Sequence, residues 1–243
     1  MKSSEISIGT WISLYNEGIA EILANAGYEW ITVDLEHSSI SVSEAEKLIR
    51  VIDNCGAKPL VRVSNNNSVQ IKRVLDAGAK GIIVPMVVSE DDINKAIEHI
   101  SYPPKGKRGM GLSRAQGYGE IDKKNNYINE LSNQIELYIQ IESEDALPNL
   151  DNLFSKDING YIIGPYDLSA SMNIPGDFAN ARFKEVEELI LDTAKKYDIK
   201  RGCHIVEPDE EELNTKIANG YNFIAYSVDF RMLDVMARKP FKK

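Results

Sequence analysis

Between Val33 and His37 the chain packs three ionisable groups, Asp34, Glu36 and His37, into four positions where an apolar run meets a loop. Side chains alternate along an extended strand, so Asp34 and Glu36 share a face while His37 can turn outward as the strand ends. A histidine with a carboxylate partner has a fixed tautomer and suits proton transfer near neutrality. A solvated strand end with a capping Asp seldom offers that combination, so His37 and Asp34 read as an acid/base unit.

Arg62 interrupts the apolar run Leu60-Val61-Arg62-Val63. A buried guanidinium is almost always paired, and one aimed at a cavity suits a carboxylate or an enolate oxygen. A structural ion pair with Asp34 or Glu36 is the plainer alternative. Two further carboxylates, Glu142 and Asp167, end successive strand-like runs. Neighbouring strands lie about 4.8 Å apart, so two such carboxylates repel unless they share a divalent cation. Oxygen ligands with open water positions suit Mg²⁺ or Mn²⁺, with Co²⁺ or Zn²⁺ as further candidates, because no thiolate is offered. Gln140 shares a strand face with Glu142, and the turn from Gly164 would present the Tyr166 and Asp167 amides as a small anion nest. His204, inside a strand-like run, reads equally as core or site. His99, late in a helix, reads as a partner for terminal carbonyls.

Residues so far apart need a scaffold that gathers strand ends. The length of 243 residues is close to the ~250 of one (β/α)8 barrel. Short β-branched or aromatic runs alternate with amphipathic stretches throughout, which implies parallel strands joined by helical crossovers in one domain, 1–243. Strands are expected at 7–13, 30–37, 58–64, 81–87, 136–143, 160–164, 201–206 and 222–229. Gly27, Gly78 and Gly220 each close a helix where a left-handed residue is wanted. No G-x-G-x-x-G or Walker loop follows any strand, which lowers a nucleotide-binding open sheet. Residues 102–133, with two prolines and five glycines, read as a long loop near the working end of the barrel.

A net charge of −9 and a pI near 5.0 argue against nucleic acid as a partner, and Lys105, Lys107 and Arg108 form only a short basic loop. The lack of a membrane-length apolar run or a secretory pattern makes the cytoplasm the expected location. Cys55 and Cys203 stand outside any metal or redox spacing and read as free thiols.

At these residues the sequence resembles the HpcH/HpaI aldolase family, metal-dependent pyruvate aldolases that include 2,4-dihydroxyhept-2-ene-1,7-dioate aldolase. The likeness is carried in order by G-T-W at Gly9, D-L-E-H at Asp34, V-R-V at Val61, L-D-A-G-A-K-G-I-I-V-P-M at Leu75, Y-P-P-K-G-K-R-G at Tyr102, I-Q-I-E at Ile139 and G-P-Y-D-L-S-A-S at Gly164. The resemblance implies a divalent metal on Glu142 and Asp167, His37 with Asp34 as acid/base, and Arg62 on the keto acid. Gln140 and the Tyr166 and Asp167 amides would complete the pyruvate pocket. It also implies a hexamer whose C-terminal helices, here 230–243, pack between subunits, with Asp76 reaching a neighbour's site. Tyr166 departs from the small residue of several members, and the loop around Arg114 does not match the dicarboxylate-cleaving ones closely.

The implied reaction is reversible cleavage of a 2-keto-4-hydroxy acid to pyruvate and an aldehyde through a stabilised enolate. A Schiff-base route would need a lysine at the barrel mouth, whereas Lys58, Lys80 and Lys200 mark strand beginnings. A citryl- or malyl-CoA lyase would want a basic groove for the pyrophosphate. A non-catalytic keto-acid-binding barrel would have no use for His37.

Overall fold

The computed structural model describes residues 5–241; the two lysines that end the basic tail lie outside the described residues. Eight parallel strands pair in chain order, and the last pairs with the first, which closes a barrel. The chain runs β1 (Ser7–Ile12), α1 (Glu17–Asn25), β2 (Trp30–Asp34), α2 (Val42–Asn54), β3 (Lys58–Arg62), α3 (Ser68–Ala77), β4 (Gly81–Val84) and α4 (Glu90–Ile100). It continues through α5 (Ile121–Asn129), β5 (Glu136–Ile141), α6 (Leu150–Phe154), β6 (Gly160–Ile163), α7 (Pro165–Ser171) and α8 (Ala181–Ala194). The last elements are β7 (Lys200–Ile205), α9 (Glu210–Asn219), β8 (Phe223–Val228) and α10 (Asp229–Arg238).

Strand residues are buried on both faces because helices cover the outside and other strands fill the inside. The outward face joins the helices in one large apolar core. The inward face forms a second core of Trp11, Trp30, Leu60, Tyr138 and Phe223, among others. The Phe223 ring stacks on both Trp30 and Tyr138 with centroids 4.2 Å apart. These rings plug the lumen. Gly9 makes room for them, since a Cβ there would lie 2.0 Å from the Trp30 ring. The period of two then puts polar groups one layer above the plug: Leu60 is followed inward by Arg62, and Tyr138 by Gln140 and Glu142.

Local signals behave as their chemistry dictates. Ser41 with Glu44, and Ser89 with Asp92, form capping boxes on α2 and α4. Gly27, Gly78 and Gly220 adopt φ of 104°, 109° and 103°. Lys58 and Lys200 begin β3 and β7, and Lys80 immediately precedes β4, so all three lie at the end of the barrel away from Arg62. Cys55 and Cys203 are free thiols, the latter buried. Among the described residues no helix is long and apolar enough to cross a membrane.

The segment 102–133 is not at the mouth. It follows a helix rather than a strand, and α4 has already returned the chain to the strand beginnings. It is also not a bare loop, since it contains α5. Arg108 donates to Asp76 Oδ1 at 2.7 Å, Gln116 to the same oxygen at 3.1 Å, and Arg114 to Asp53 at 2.5 Å and to the Ala77 carbonyl at 3.2 Å. Asp76 thus anchors its own chain's excursion. At the closing seam, Asp229 accepts the amides of Ser13 and Leu14 at 3.1 and 2.9 Å, which ties the end of β8 to that of β1. Beyond it, α10 leaves Phe230, Leu233 and Met236 exposed.

Candidate active site

Asp34 and Arg62 end adjacent strands and are paired in register. The carboxylate accepts Arg62 Nε at 2.9 Å and Nη2 at 2.8 Å, a bidentate grip. Asp34 Oδ1 also accepts the amides of Glu36 and His37, at 3.0 and 3.3 Å. Burial pushes the Asp34 carboxyl upward, but Arg62 and these amides outweigh it and hold the group below the usual carboxylate range. Arg62 lies 4.5 Å above the Trp11 ring. Its remaining nitrogen, Nη1, faces Glu36 Oε2 at 3.3 Å and Gln140 Oε1 at 3.5 Å.

This arrangement corrects the expected side-chain pair of His37 with Asp34. Both Asp34 oxygens are taken by Arg62, so Asp34 holds the backbone of His37 rather than its ring. The ring swings toward the end of β6, with Nε2 at 3.9 Å from both Glu36 Oε2 and Asp167 Oδ2, and its side chain is 60% exposed.

Glu142 follows β5 by one residue and is buried. Oε1 accepts the Met86 amide at 2.6 Å, while Oε2 has no hydrogen-bond partner. Met86 adopts φ 53°, an uncommon left-handed conformation for a non-glycine residue. Burial pushes the Glu142 carboxyl up to about 7; the Met86 amide and Arg62 oppose this, while the charges of Glu36 and Asp167 add to it. Glu36 is raised too, chiefly by burial. Gly164 fits closely against this group, since a Cβ there would lie 2.6 Å from both Gln140 Nε2 and Glu142 Oε2. Asp167 sits in the first turn of α7, which no side chain caps.

The donor set fits a hard divalent cation. It offers carboxylate oxygens, one of them buried and unpaired, whose mutual repulsion a cation would relieve. Among the described residues no three or more His, Cys, Asp or Glu side chains cluster as a ready metal cage. The carboxylates available to such an ion are the pair Glu142 and Asp167, whose charges act on one another.

Several site residues escaped sequence reasoning or were left unassigned. Glu36 faces Arg62 and His37. Trp11 and Ser13 line the mouth, and the inward period of β1 from Gly9 was the available signal. The Met86 amide gave none. His204 joins both of its expected readings: partly buried, it stacks on Trp11 at 5.3 Å and borders the cavity. Burial lowers it to about 4, and its Nε2 lies 3.2 Å from the Ser227 carbonyl. His99 is structural, with Nδ1 3.1 Å from Asn66 Oδ1.

The mouth cavity, about 190 Å³, gathers Asp34, His37, Arg62, Gln140, Tyr166 and Asp167. A larger one of about 1070 Å³ lies at the other end of the barrel, under the excursion, and includes none of these. The fold is a (β/α)8 barrel, and Asp34, His37, Arg62, Gln140 and Asp167 gather at the C-terminal ends of its strands. Residues 7–234 match the family described as HpcH/HpaI aldolase/citrate lyase, and the chain belongs to that family of carbon–carbon lyases. It is 34% identical to the hydroxypyruvate/pyruvate aldolase of Sagittula stellata, over 98% of this chain and 92% of that one. It is 35% identical to the 2-keto-3-deoxy-L-rhamnonate aldolase of Klebsiella pneumoniae, over 93% and 84%. A solved HpcH/HpaI aldolase/citrate lyase family protein from Burkholderia cenocepacia superposes with a TM-score of 0.92 at 26% identity, over 98% and 94%.

Proposed function

We propose that the protein is a class II aldolase that reversibly cleaves a 2-keto-4-hydroxy acid to pyruvate and an aldehyde. The observation that carries this reading is the buried Glu142 carboxylate, one of whose oxygens has no hydrogen-bond partner and which feels the charges of both Asp167 and Arg62. The aldolase names of the two relatives support it. In cleavage the C4 hydroxyl loses its proton, the C4 carbonyl forms, and the C3–C4 electron pair passes to C3 and onto the keto oxygen. Protonation at C3 then gives pyruvate.

Glu142 and Asp167 would hold Mg²⁺ or Mn²⁺, with Co²⁺ or Zn²⁺ as substitutes; the bound ion supplies positive charge to the keto acid's oxygens. Arg62 Nη1, the nitrogen outside the Asp34 grip, would turn from Glu36 and Gln140 to donate to the substrate carboxylate or the enolate oxygen. Gln140 and the amides of Tyr166 and Asp167 complete the keto-acid pocket. His37 takes the C4 hydroxyl proton in cleavage and returns it in condensation, and Glu36 and Asp167 stand near enough to stabilise its imidazolium. No lysine lines this cavity among the described residues, which speaks against a Schiff base, and Arg62 as its one Lys or Arg speaks against a CoA thioester. The exposed Phe230, Leu233 and Met236 support α10 packing between subunits of a homo-oligomer, a hexamer in this reading.

The test is pyruvate release from 2-keto-4-hydroxy acids. A chelator should abolish it and Mn²⁺ or Mg²⁺ restore it. A lysine adduct trapped by borohydride, or full activity in chelator, would overturn the mechanism.

A further inference from the structure

We infer that Glu36 is a positioning residue that keeps the place of the keto acid on Arg62 and passes to His37 when the keto acid arrives. The inference rests on the aldolase reading above. Arg62 has two unlike carboxylate partners. Asp34 grips Nε and Nη2 at 2.9 and 2.8 Å, one oxygen to each. Glu36 Oε2 lies 3.3 Å from Nη1, yet that oxygen is buried and makes no hydrogen bond. The first is an aligned bidentate pair and the second a loose contact, so Glu36 is the partner that yields.

The guanidinium itself has little freedom. Asp34 fixes its edge, and the Trp11 ring covers one face at 4.5 Å. The Glu36 backbone is held as well, because Asp34 Oδ1 accepts its amide at 3.0 Å. What remains to move is the Glu36 side chain. When an anionic oxygen of the keto acid takes Nη1, it replaces the Glu36 oxygen there, and the charge facing that nitrogen is unchanged.

A displaced carboxylate does not stay buried without a partner, since an uncompensated charge there is costly. Burial raises the Glu36 carboxyl, and the charges that lower it are those of Arg62 and His37. Once Arg62 is taken, His37 is the alternative, with Nε2 3.9 Å from Oε2 on a side chain that is 60% exposed and free to approach. Asp167 Oδ2 is equally near His37, but in the proposed mechanism Asp167 holds the divalent ion. Glu36 is then the carboxylate left for the imidazolium that forms as the C4 hydroxyl gives up its proton. Keto-acid binding and readiness of the base are thereby linked: His37 gains its partner only after Arg62 has exchanged one.

The experiment titrates pyruvate by calorimetry into enzyme saturated with Mn²⁺, saturation being checked by a separate Mn²⁺ titration. Beside it, kcat is measured on the 2-keto-4-hydroxy acid that wild type cleaves fastest. Glu36→Gln should bind pyruvate about three- to fivefold more tightly, the worth of a loose ion pair that no longer competes. The same variant should lose about tenfold or more in kcat, part of what acid–base catalysis supplies. Gains and losses of opposite sign are not what a merely structural role produces. Glu36→Asp keeps the charge but draws it back by one methylene, so it should also tighten pyruvate, and it carries the test if Glu36→Gln proves insoluble. In a His37→Ala background, Glu36→Gln should leave kcat unchanged, because the partner it serves is gone. Pyruvate affinity that is unchanged or weaker in Glu36→Gln, an Asp variant that binds like wild type, or an undiminished kcat loss without His37 would overturn this inference and leave the aldolase reading standing. Failure of wild type to release pyruvate from any 2-keto-4-hydroxy acid would remove that reading, and this one with it.

Discussion

Asp34 and Arg62 meet as register partners at the last paired position of β2 and β3, joined by two hydrogen bonds of 2.9 and 2.8 Å. The guanidinium plane is fixed before any substrate arrives, with its third nitrogen turned to Glu36 and Gln140. Arg62→Lys should therefore fold but lose about 100-fold or more in kcat/KM, because a point charge cannot both hold Asp34 and present an aligned donor. Asp34→Ala should do worse, removing the bidentate partner of a buried guanidinium that keeps only Glu36 beside it, at a cost of up to about 3–5 kcal/mol in urea unfolding. Wild-type kinetics in Arg62→Lys would confine the pair to a structural role.

His37→Ala should lower kcat by about 100-fold or more and leave pyruvate affinity nearly unchanged, since pyruvate lacks the hydroxyl the imidazole serves. Steady-state cleavage rates set beside pyruvate titration calorimetry separate the two effects. An unchanged kcat would sink the assignment.

Glu142→Gln should keep the native circular dichroism spectrum while abolishing divalent-ion binding by calorimetry and the ion-dependent rise in melting temperature. Gly164→Ala should weaken ion binding without touching a ligand, because its methyl would press on Gln140 and Glu142 from 2.6 Å. Tight Mn²⁺ binding in Glu142→Gln would move the metal site elsewhere.

His204 supplies a pH dependence of stability. Burial lowers it from 6.5 to about 4 in the fold, so between those values the unfolded chain takes up a proton that the folded chain refuses. The associated stability is fully present above pH 6.5 and is lost as pH falls through about 4. His204→Gln should remove that loss, so that wild type gives up of order 1–3 kcal/mol more than the variant between pH 7 and pH 4. Urea titrations at the two pH values would show parallel behaviour if His204 were readily protonated in the fold.

Much of this arrangement was readable in the chain, and the failures share a cause. The eight strands declared themselves by short β-branched runs, and the carboxylates and Arg62 by being charges within such runs. Strand ends were read too long, because Leu35, Val63 and Val87 stay buried after pairing stops at Asp34, Arg62 and Val84. Apolarity reports burial, while a strand needs a neighbour. The orientation of His37 was not readable, since it depends on Arg62 winning Asp34 from 28 residues away. The excursion was misplaced because its composition says loop, while only the direction of α4 says which end.

The closure of β8 on β1 sets a timetable for synthesis. A nascent chain that stops short of Phe223 has every strand but the last, with β1 and β7 both presenting unpaired edges that invite association with other chains. Asp229, which locks Ser13 and Leu14, emerges later still. The first strand must therefore wait for the eighth to be made before it acquires its second neighbour. Ribosome-stalled chains ending before residue 223 should bind a holdase chaperone and be cut readily by protease, and chains extended past residue 238 should resist both.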